Sequence, residues 1–384
     1  MKKKIVALLL AGCMLAVTAC GKSTTQTSSS NCKNGCGCTD CICCNTAQDV
    51  VTTVEASDIM EQASSEQTET PVEITTELTT EQSTEQSTTA VAETQAQTES
   101  QTVTEQLNEI ESLTEGERAA RKQQQAEFAR AREVLYSLPN SKDKTTKINQ
   151  MDRQILANNS YDFSKLNAVF IGDSITEGVT SAIDQNGNPV SYVTYANSYL
   201  HFQNVLNHGK GGRMFADYGG QEYSLSLDFG NVTNINSDVI IVFAGVNDYL
   251  AAPANKRFGN IDDKISTAGY CGAVRYFMSQ LQNYYSNNEI FFVTMYNISK
   301  TSNCAYSDVT GQPTLNDYME VQRKLAKEFG FHVIDLYEEG FMDCSTKECS
   351  DYYLDDGLHP KDNGNIVLGE HIAAELSLYF SQKQ

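Results

Sequence analysis

Ala168-Val169-Phe170-Ile171-Gly172-Asp173-Ser174 sets four apolar residues before a glycine, a carboxylate and a hydroxyl. A continuous apolar run of this length suits a strand buried on both faces. A serine on a tight strand-to-helix turn is presented as a nucleophile. Similar runs recur at Asp238-Val239-Ile240-Ile241-Val242-Phe243, at Ile290-Phe291-Phe292-Val293-Thr294 and at His332-Val333-Ile334-Asp335-Leu336. Ala268 to Tyr285 and Leu315 to Phe329 read as helices between them, and Gly364 to Phe380 as a last helix. Strand–helix alternation predicts an α/β layer fold with a parallel sheet. In such sheets reacting groups sit on loops beyond the carboxyl ends of the strands, so chemistry is sought there.

Three further segments occupy such positions. Asn207-His208-Gly209-Lys210-Gly211-Gly212 is rich in glycines, which let backbone N–H groups approach a ligand; a simple turn would read the same way. Gly245-Val246-Asn247-Asp248 follows a strand, and an asparagine there can donate its amide to a developing oxyanion. Asp355-Asp356-Gly357-Leu358-His359-Pro360 places a carboxylate three residues before a histidine. Those are the pieces of a base and its orienter, although a surface pair has the same spacing. Gly172-Asp173-Ser174 alone is a weak signal. It is not the G-x-S-x-G elbow, because Glu177 and Gly178 come too late.

Taken together, in order and spacing, the four segments resemble the SGNH (GDSL-type) esterase and acylhydrolase family, over about residues 165–384. The serine block reads Gly-Asp-Ser-Ile rather than Gly-Asp-Ser-Leu. The glycine block carries Lys210-Gly211 where many members have an apolar residue and a serine, a departure that bears on the shape of this loop. The resemblance implies a flavodoxin-like, three-layer α/β/α sandwich with a mostly parallel central sheet. It implies Ser174 as nucleophile, His359 as the base that later activates water, and Asp356 as the carboxylate that holds the imidazole. Its oxyanion hole would be the backbone N–H groups of Ser174 and Gly209 with the side chain of Asn247. Asp355 is the alternative for the aspartate role. No metal triad is visible, and neither a catalytic metal nor a cofactor is expected. His201 and His332 lie in helix and strand contexts, His208 flanks the glycine, and His371 lies on the last helix. Cys344 and Cys349 are read either as a small disulfide steadying the catalytic loop or as two free thiols. Cys271 and Cys304 read as small buried fillers.

Upstream the composition changes. The formal net charge of −21 argues against nucleic acid or an anionic surface as the main partner. From Asn45 to Glu117 there are 17 acidic residues and no Lys or Arg. All 34 Phe and Tyr lie at Phe128 or later, and Trp is absent. A packed core needs large apolar side chains, so the first third is not expected to form a globular domain. Met1-Lys2-Lys3-Lys4 followed by apolar Ile5 to Ala19 reads as an export signal too short for a comfortable span. Val17-Thr18-Ala19-Cys20 resembles the bacterial lipobox, which implies cleavage after residue 19 and lipidation of Cys20. Leu10-Ala11-Gly12-Cys13 fits the same pattern behind a shorter apolar stretch, and an ordinary secretory signal is a third reading; all three export the chain.

Six cysteines follow within 13 residues, Cys32 to Cys44. Their thiolates suit Zn or Cu(I) or disulfides, and their spacing matches no paired C-x2-C module. The acidic Thr/Ser/Glu/Gln-rich stretch 45–105 reads as a disordered linker. Leu107, Ile110 and Leu113, then Phe128, Ala131, Leu135 and Leu138, repeat at helical steps up to Pro139-Asn140. With its apolar stripe broken at Gly116 to Gln125, this reads as a spacer helix or one lying on the domain, rather than a coiled coil. The expected organisation is a lipoprotein signal peptide (1–19), a lipidated Cys-rich segment (20–44), a disordered linker (45–105), a spacer helix (106–138) and an SGNH hydrolase domain (160–384).

The expected activity is that of a serine esterase, lipid-anchored to the extracytoplasmic face of a bacterial membrane, acting on acyl esters through an acyl-enzyme. Deacetylation of carbohydrate is the first substrate reading. A lysophospholipase or short-chain lipase, a glycan O-acyltransferase and a non-catalytic envelope binding module are the alternatives. A metal scavenger built on the cysteine cluster, with the rest a passenger, is a further one. The sequence assigns no oligomeric state.

Overall fold

The structure, a computed structural model, describes residues 103, 105–218, 220–232, 236–255, 258–262, 264–298 and 313–383. The export signal, Cys20, the cysteine cluster, the linker up to residue 102 and Cys304 lie outside them. The sheet has five parallel strands: β1 (Asn167–Gly172), β2 (Asn204–Gly209), β3 (Val239–Phe243), β4 (Glu289–Val293) and β5 (His332–Ile334), in the order β2-β1-β3-β4-β5. Every residue of β3 is buried, as its continuous apolar run requires. Strand β2 was not evident as a strand in the sequence. It is an edge, largely exposed, and Asn204, Asn207 and His208 interrupt its apolar pattern.

After a helical stretch at residues 105–112 come α1 (Glu115–Tyr136), α2 (Lys142–Ala157), α3 (Ser174–Glu177), α4 (Tyr192–Leu200), α5 (Phe229–Val232), α6 (Val246–Asn255), α7 (Tyr270–Tyr284), α8 (Leu315–Phe329), α9 (Leu336–Glu339), α10 (Lys347–Tyr353) and α11 (Asp362–Gln382). Successive strand side chains point to opposite faces, and two neighbours on β4 show the layers. Phe291 packs on Tyr379 and Phe380 of α11. Phe292 packs on the other face, against Phe215 and Phe331. The result is the expected helix–sheet–helix sandwich. Gly172 pairs with Gly209 on one side and with Phe243 on the other. This register brings the ends of β1, β2 and β3 to one level, so the segments that follow them open on one rim.

Before β1 the expected helix over 106–138 is broken at Leu113 and Thr114. Helix α1 starts at a capping box, in which Thr114 Oγ1 accepts from the Glu117 N–H and Glu117 Oε2 accepts from the Thr114 N–H. It continues through Gly116 to Gln125 although the apolar stripe breaks there, because polar contacts replace apolar ones. Arg118 donates to the Ser160 carbonyl at 2.7 Å and Arg121 to the Asn159 carbonyl at 3.2 Å. Buried Gln125 donates to the Ile155 carbonyl and to Ser377 Oγ. Of the two readings, spacer or helix lying on the domain, these contacts fit the second.

Helix α2 was not expected at all. Its inner face mixes Ile148, Ile155 and Leu156 with buried Lys144, Asn149 and Asp152, which hides the apolar period. The folded unit therefore begins well before residue 160. Asp152 accepts from Arg132 Nη1 at 2.6 Å and from His371 Nδ1 at 2.9 Å. His371 Nε2 lies 2.8 Å from Glu339 Oε2, off the hydrogen-bonding direction. Burial disfavours the imidazolium, but Asp152 and Glu339 outweigh it and push the His371 pKa up to about 10. Among the described residues, no helix is long and apolar enough to cross a membrane.

Candidate active site

At the end of β1 the chain turns sharply. A Cβ on Gly172 would lie 2.0 Å from Thr176 Oγ1 and 2.4 Å from the Phe243 carbonyl, so only glycine fits. Asp173 caps α3 by accepting from the Ile175 N–H at 3.0 Å. Ser174 opens the helix at 7% exposure, and its own N–H has no partner among the described residues. Gly178, with φ +92°, closes the helix.

The last loop brings His359 to this turn. Ser174 Oγ lies 2.8 Å from His359 Nε2, and Asp356 Oδ2 lies 2.7 Å from His359 Nδ1. Asp356 Oδ1 also accepts from the Leu358 and His359 N–H groups, at 3.0 and 2.8 Å. Burial raises the Asp356 pKa, but these N–H donors and the imidazole outweigh it and hold the carboxyl below its ordinary range. An ionised Asp356 accepts from Nδ1 and leaves the Nε2 lone pair for the serine proton. Asp355 meets His359 only through the backbone, its N–H donating to the His359 carbonyl at 2.9 Å. The loop is tied down at Pro360, whose carbonyl accepts from Asn365 Nδ2 and from Thr180 Oγ1.

The glycine block departs from the expected assignment. The Gly209 N–H is not free, since it donates to Asn207 Oδ1 at 2.9 Å. Gly209 is glycine for packing, because a Cβ there would lie 2.1 Å from the Glu177 nitrogen. The Gly211 N–H donates to Glu177 Oε2 at 2.7 Å. A Cβ on Gly211 would come within 4.0 Å of Ser174 Cβ, which puts this turn beside the nucleophile. Gly212, at φ +76°, has an N–H without a partner among the described residues. Asn247, in the first turn of α6, spends one amide hydrogen on the Arg213 carbonyl at 3.0 Å, and the other has no partner among the described residues.

Two buried carboxyls underpin the rim. Asp248 accepts from the Phe215 and Ala216 N–H groups at 2.8 and 2.9 Å, pinning the chain after the glycines. Burial pushes both Asp173 and Asp248 up to about 7. Sequence reasoning did not single out Asp173, Asp248 or Arg213. A charged residue directly after three glycines in four positions was the available signal for Arg213.

The remaining candidates lie elsewhere. His201 meets Gln106, His332 packs against the Tyr379 ring at a tilt, and His371 belongs to the Asp152 cluster. His208 is half-buried on β2, and its backbone carbonyl rather than its ring engages Arg213. Cys344 and Cys349 are free and buried, and burial pushes both thiols up. Glu339, His371 and Glu375 are of metal-ligating types and lie within 4.8 Å of one another. The Arg132 guanidinium already fills the cationic place there, bonding Asp152 and Glu375.

Residues 170–366 match the model of the GDSL-like Lipase/Acylhydrolase family. Among solved structures, the chain is similar to a protein from Lactobacillus plantarum at 20% identity and a TM-score of 0.48, over 56% of this chain and 97% of that one. It is similar to the lipase/acylhydrolase from Enterococcus faecalis at 20% identity and a TM-score of 0.38, over 55% and 95% of the two chains. An acetylxylan esterase from Geobacillus stearothermophilus gives 17% identity and a TM-score of 0.41, over 56% and 96%. No curated protein matches the chain.

Proposed function

The chain belongs to the GDSL-like lipase/acylhydrolase family of ester hydrolases, and from that premise we propose that it is a serine esterase working through Ser174, His359 and Asp356. The observation that carries the reading is the unbroken run of contacts from Ser174 Oγ to His359 Nε2 (2.8 Å) and from His359 Nδ1 to Asp356 (2.7 Å). Ser174 Oγ attacks the ester carbonyl and its proton passes to His359 Nε2. Asp356 stabilises the imidazolium. His359 then returns that proton to the departing alcohol, leaving an acyl-serine. Water, deprotonated by His359, attacks the acyl group, and the carboxylic acid leaves as the proton returns to Ser174.

In both steps negative charge builds on the former carbonyl oxygen. The free N–H of Ser174 and the second amide hydrogen of Asn247 are the donors for it. The unengaged N–H of Gly212 takes the place first given to Gly209. The scheme uses no metal or cofactor.

Acetyl esters of carbohydrate are the proposed substrates, and a lipid on Cys20 the proposed anchor, holding the enzyme at the extracytoplasmic face of a bacterial membrane. The supports are the lipobox and an acidic linker long enough to hold the domain among surface polysaccharides. Hydrolysis of p-nitrophenyl acetate, butyrate, octanoate and palmitate by the full chain tests the reading against Ser174→Ala. Wild-type turnover falling steadily from acetate to palmitate, with the variant inactive, is the expected result. Preference for octanoate or longer would overturn the acetyl assignment. Equal inactivity of both proteins on every ester would overturn the esterase itself.

A further inference from the structure

Arg213 is a charged residue at 3% exposure on the rim of the site. Its guanidinium Nη1 donates back to the His208 carbonyl at 2.8 Å, and Nη2 donates to Asp228 Oδ2 at 3.1 Å. Its backbone N–H donates to the Lys210 carbonyl at 3.1 Å. The stretch from His208 to Arg213 is thus closed into a ring by one side chain. The Arg213 carbonyl, held at the end of that ring, accepts from Asn247 Nδ2 at 3.0 Å. Asp228 anchors the far side of the guanidinium, and Asp173 and Glu177, flanking Ser174, are near enough to act on its charge.

A surface turn needs none of this. A flexible loop of three glycines in four residues would leave the Arg213 carbonyl, and with it the Asn247 amide, free to wander. The planar guanidinium fork fixes two directions at once, which a lysine ammonium does not.

We propose that Arg213 is a positioning residue of the oxyanion hole. By closing the glycine loop it fixes the carbonyl that sets the Asn247 rotamer, so that the remaining amide hydrogen faces the reacting carbonyl oxygen at Ser174. The proposal rests on the esterase reading. Arg213 does not touch substrate; it acts through Asn247.

The test is a double-mutant cycle on p-nitrophenyl acetate with the full chain, using Arg213→Met, Asn247→Ala and both together. Misplacing a reacting group by about 1 Å costs on the order of 100-fold. Arg213→Met is therefore expected to lower kcat by about 10- to 100-fold with KM within about twofold, and with an unchanged pH profile. Asn247→Ala should cost about 100- to 1,000-fold, as loss of an oxyanion donor does. In the Asn247→Ala background, Arg213→Met should then cost almost nothing further, because its target is gone. Arg213→Lys should recover part of kcat.

Multiplying losses in the double variant, or an unchanged kcat in Arg213→Met, would overturn the proposal. If Arg213→Met does not fold, Asp228→Asn in the same cycle carries the test. It weakens the anchor of the guanidinium without emptying the site, and the same non-additivity with Asn247→Ala is required of it. A wild-type protein inactive on every ester would sink the esterase reading and the proposal with it. An active wild type with additive losses would sink the proposal alone.

Discussion

Two neighbouring aspartates near the chain's end share a residue type and differ in what they touch. Asp356 accepts from His359 Nδ1 and from two N–H groups, whereas Asp355 reaches His359 only through its backbone N–H. Asp356→Asn would turn an acceptor into an amide that can donate to Nδ1. The imidazole would take the other tautomer and lose its lone pair at Nε2. By analogy with the same change in other triads, kcat should fall by about 10⁴-fold. Asp355→Asn should leave kcat within about twofold; steady-state kinetics of the two variants checks this. The residue types of this site were legible in the sequence because each sits in a short block with its own chemistry. The oxyanion glycine was not. Three glycines stand in four positions, and which N–H is free depends on the turn. Asn207 takes one and Glu177 another, and neither contact leaves a mark in composition.

Elements show the same division. Strands β1, β3, β4 and β5 announce themselves as apolar runs because they are flanked by other strands or covered by helices, and α7, α8 and α11 as the stretches that follow or lie between such runs. Edge strand β2 and helix α2 do not, since one is largely exposed and the other buries polar groups. Those polar groups explain how α1 and α2 are held. Arg132, Asp152, His371 and Glu339 come from α1, α2, α11 and α9, and Phe341 stacks on the imidazole. Breaking a buried pair by removing one partner typically costs about 3–5 kcal/mol. Asp152→Asn should therefore lower Tm by many degrees, an effect thermal denaturation reads directly. The sign of the pH dependence follows from His371. Its folded pKa of about 10 lies above the unfolded value of about 6.5. Its contribution is complete below about pH 6.5 and drains away as pH climbs towards about 10. Tm should fall over that interval in wild type, and this slope should flatten in His371→Gln. An equal slope in both would assign the pH dependence to other groups.

For the whole molecule, the consequence is where the folded unit starts. A boundary at residue 160, natural from the first apolar strand, would cut off α1 and α2, two of the helices that pack on α11. The Ile148 and Ile155 side chains of α2 belong to the core. Gln125 of α1 is bonded to Ser377 of α11, and Arg132 to Asp152. A protein beginning at residue 105 keeps every one of these contacts. One beginning at residue 140 leaves Asp152 and Glu375 without their arginine, and one beginning at residue 160 removes Ile148 and Ile155 from the core as well. The catalytic rim is built from segments after β1, β2 and β3 and from the last loop, so none of these truncations removes a residue of the site itself. Stability should therefore fall in steps while the chemistry of folded molecules stays the same. The protein starting at 105 should match the full chain in Tm and in kcat on p-nitrophenyl acetate. The protein starting at 140 should melt earlier, with kcat at low temperature within about twofold of the full chain. The protein starting at 160 should be insoluble or lack a cooperative transition. Calorimetry on the three, with active-site titration to count folded molecules, decides it: a cooperative, fully active protein from residue 160 would show α1 and α2 to be dispensable cover.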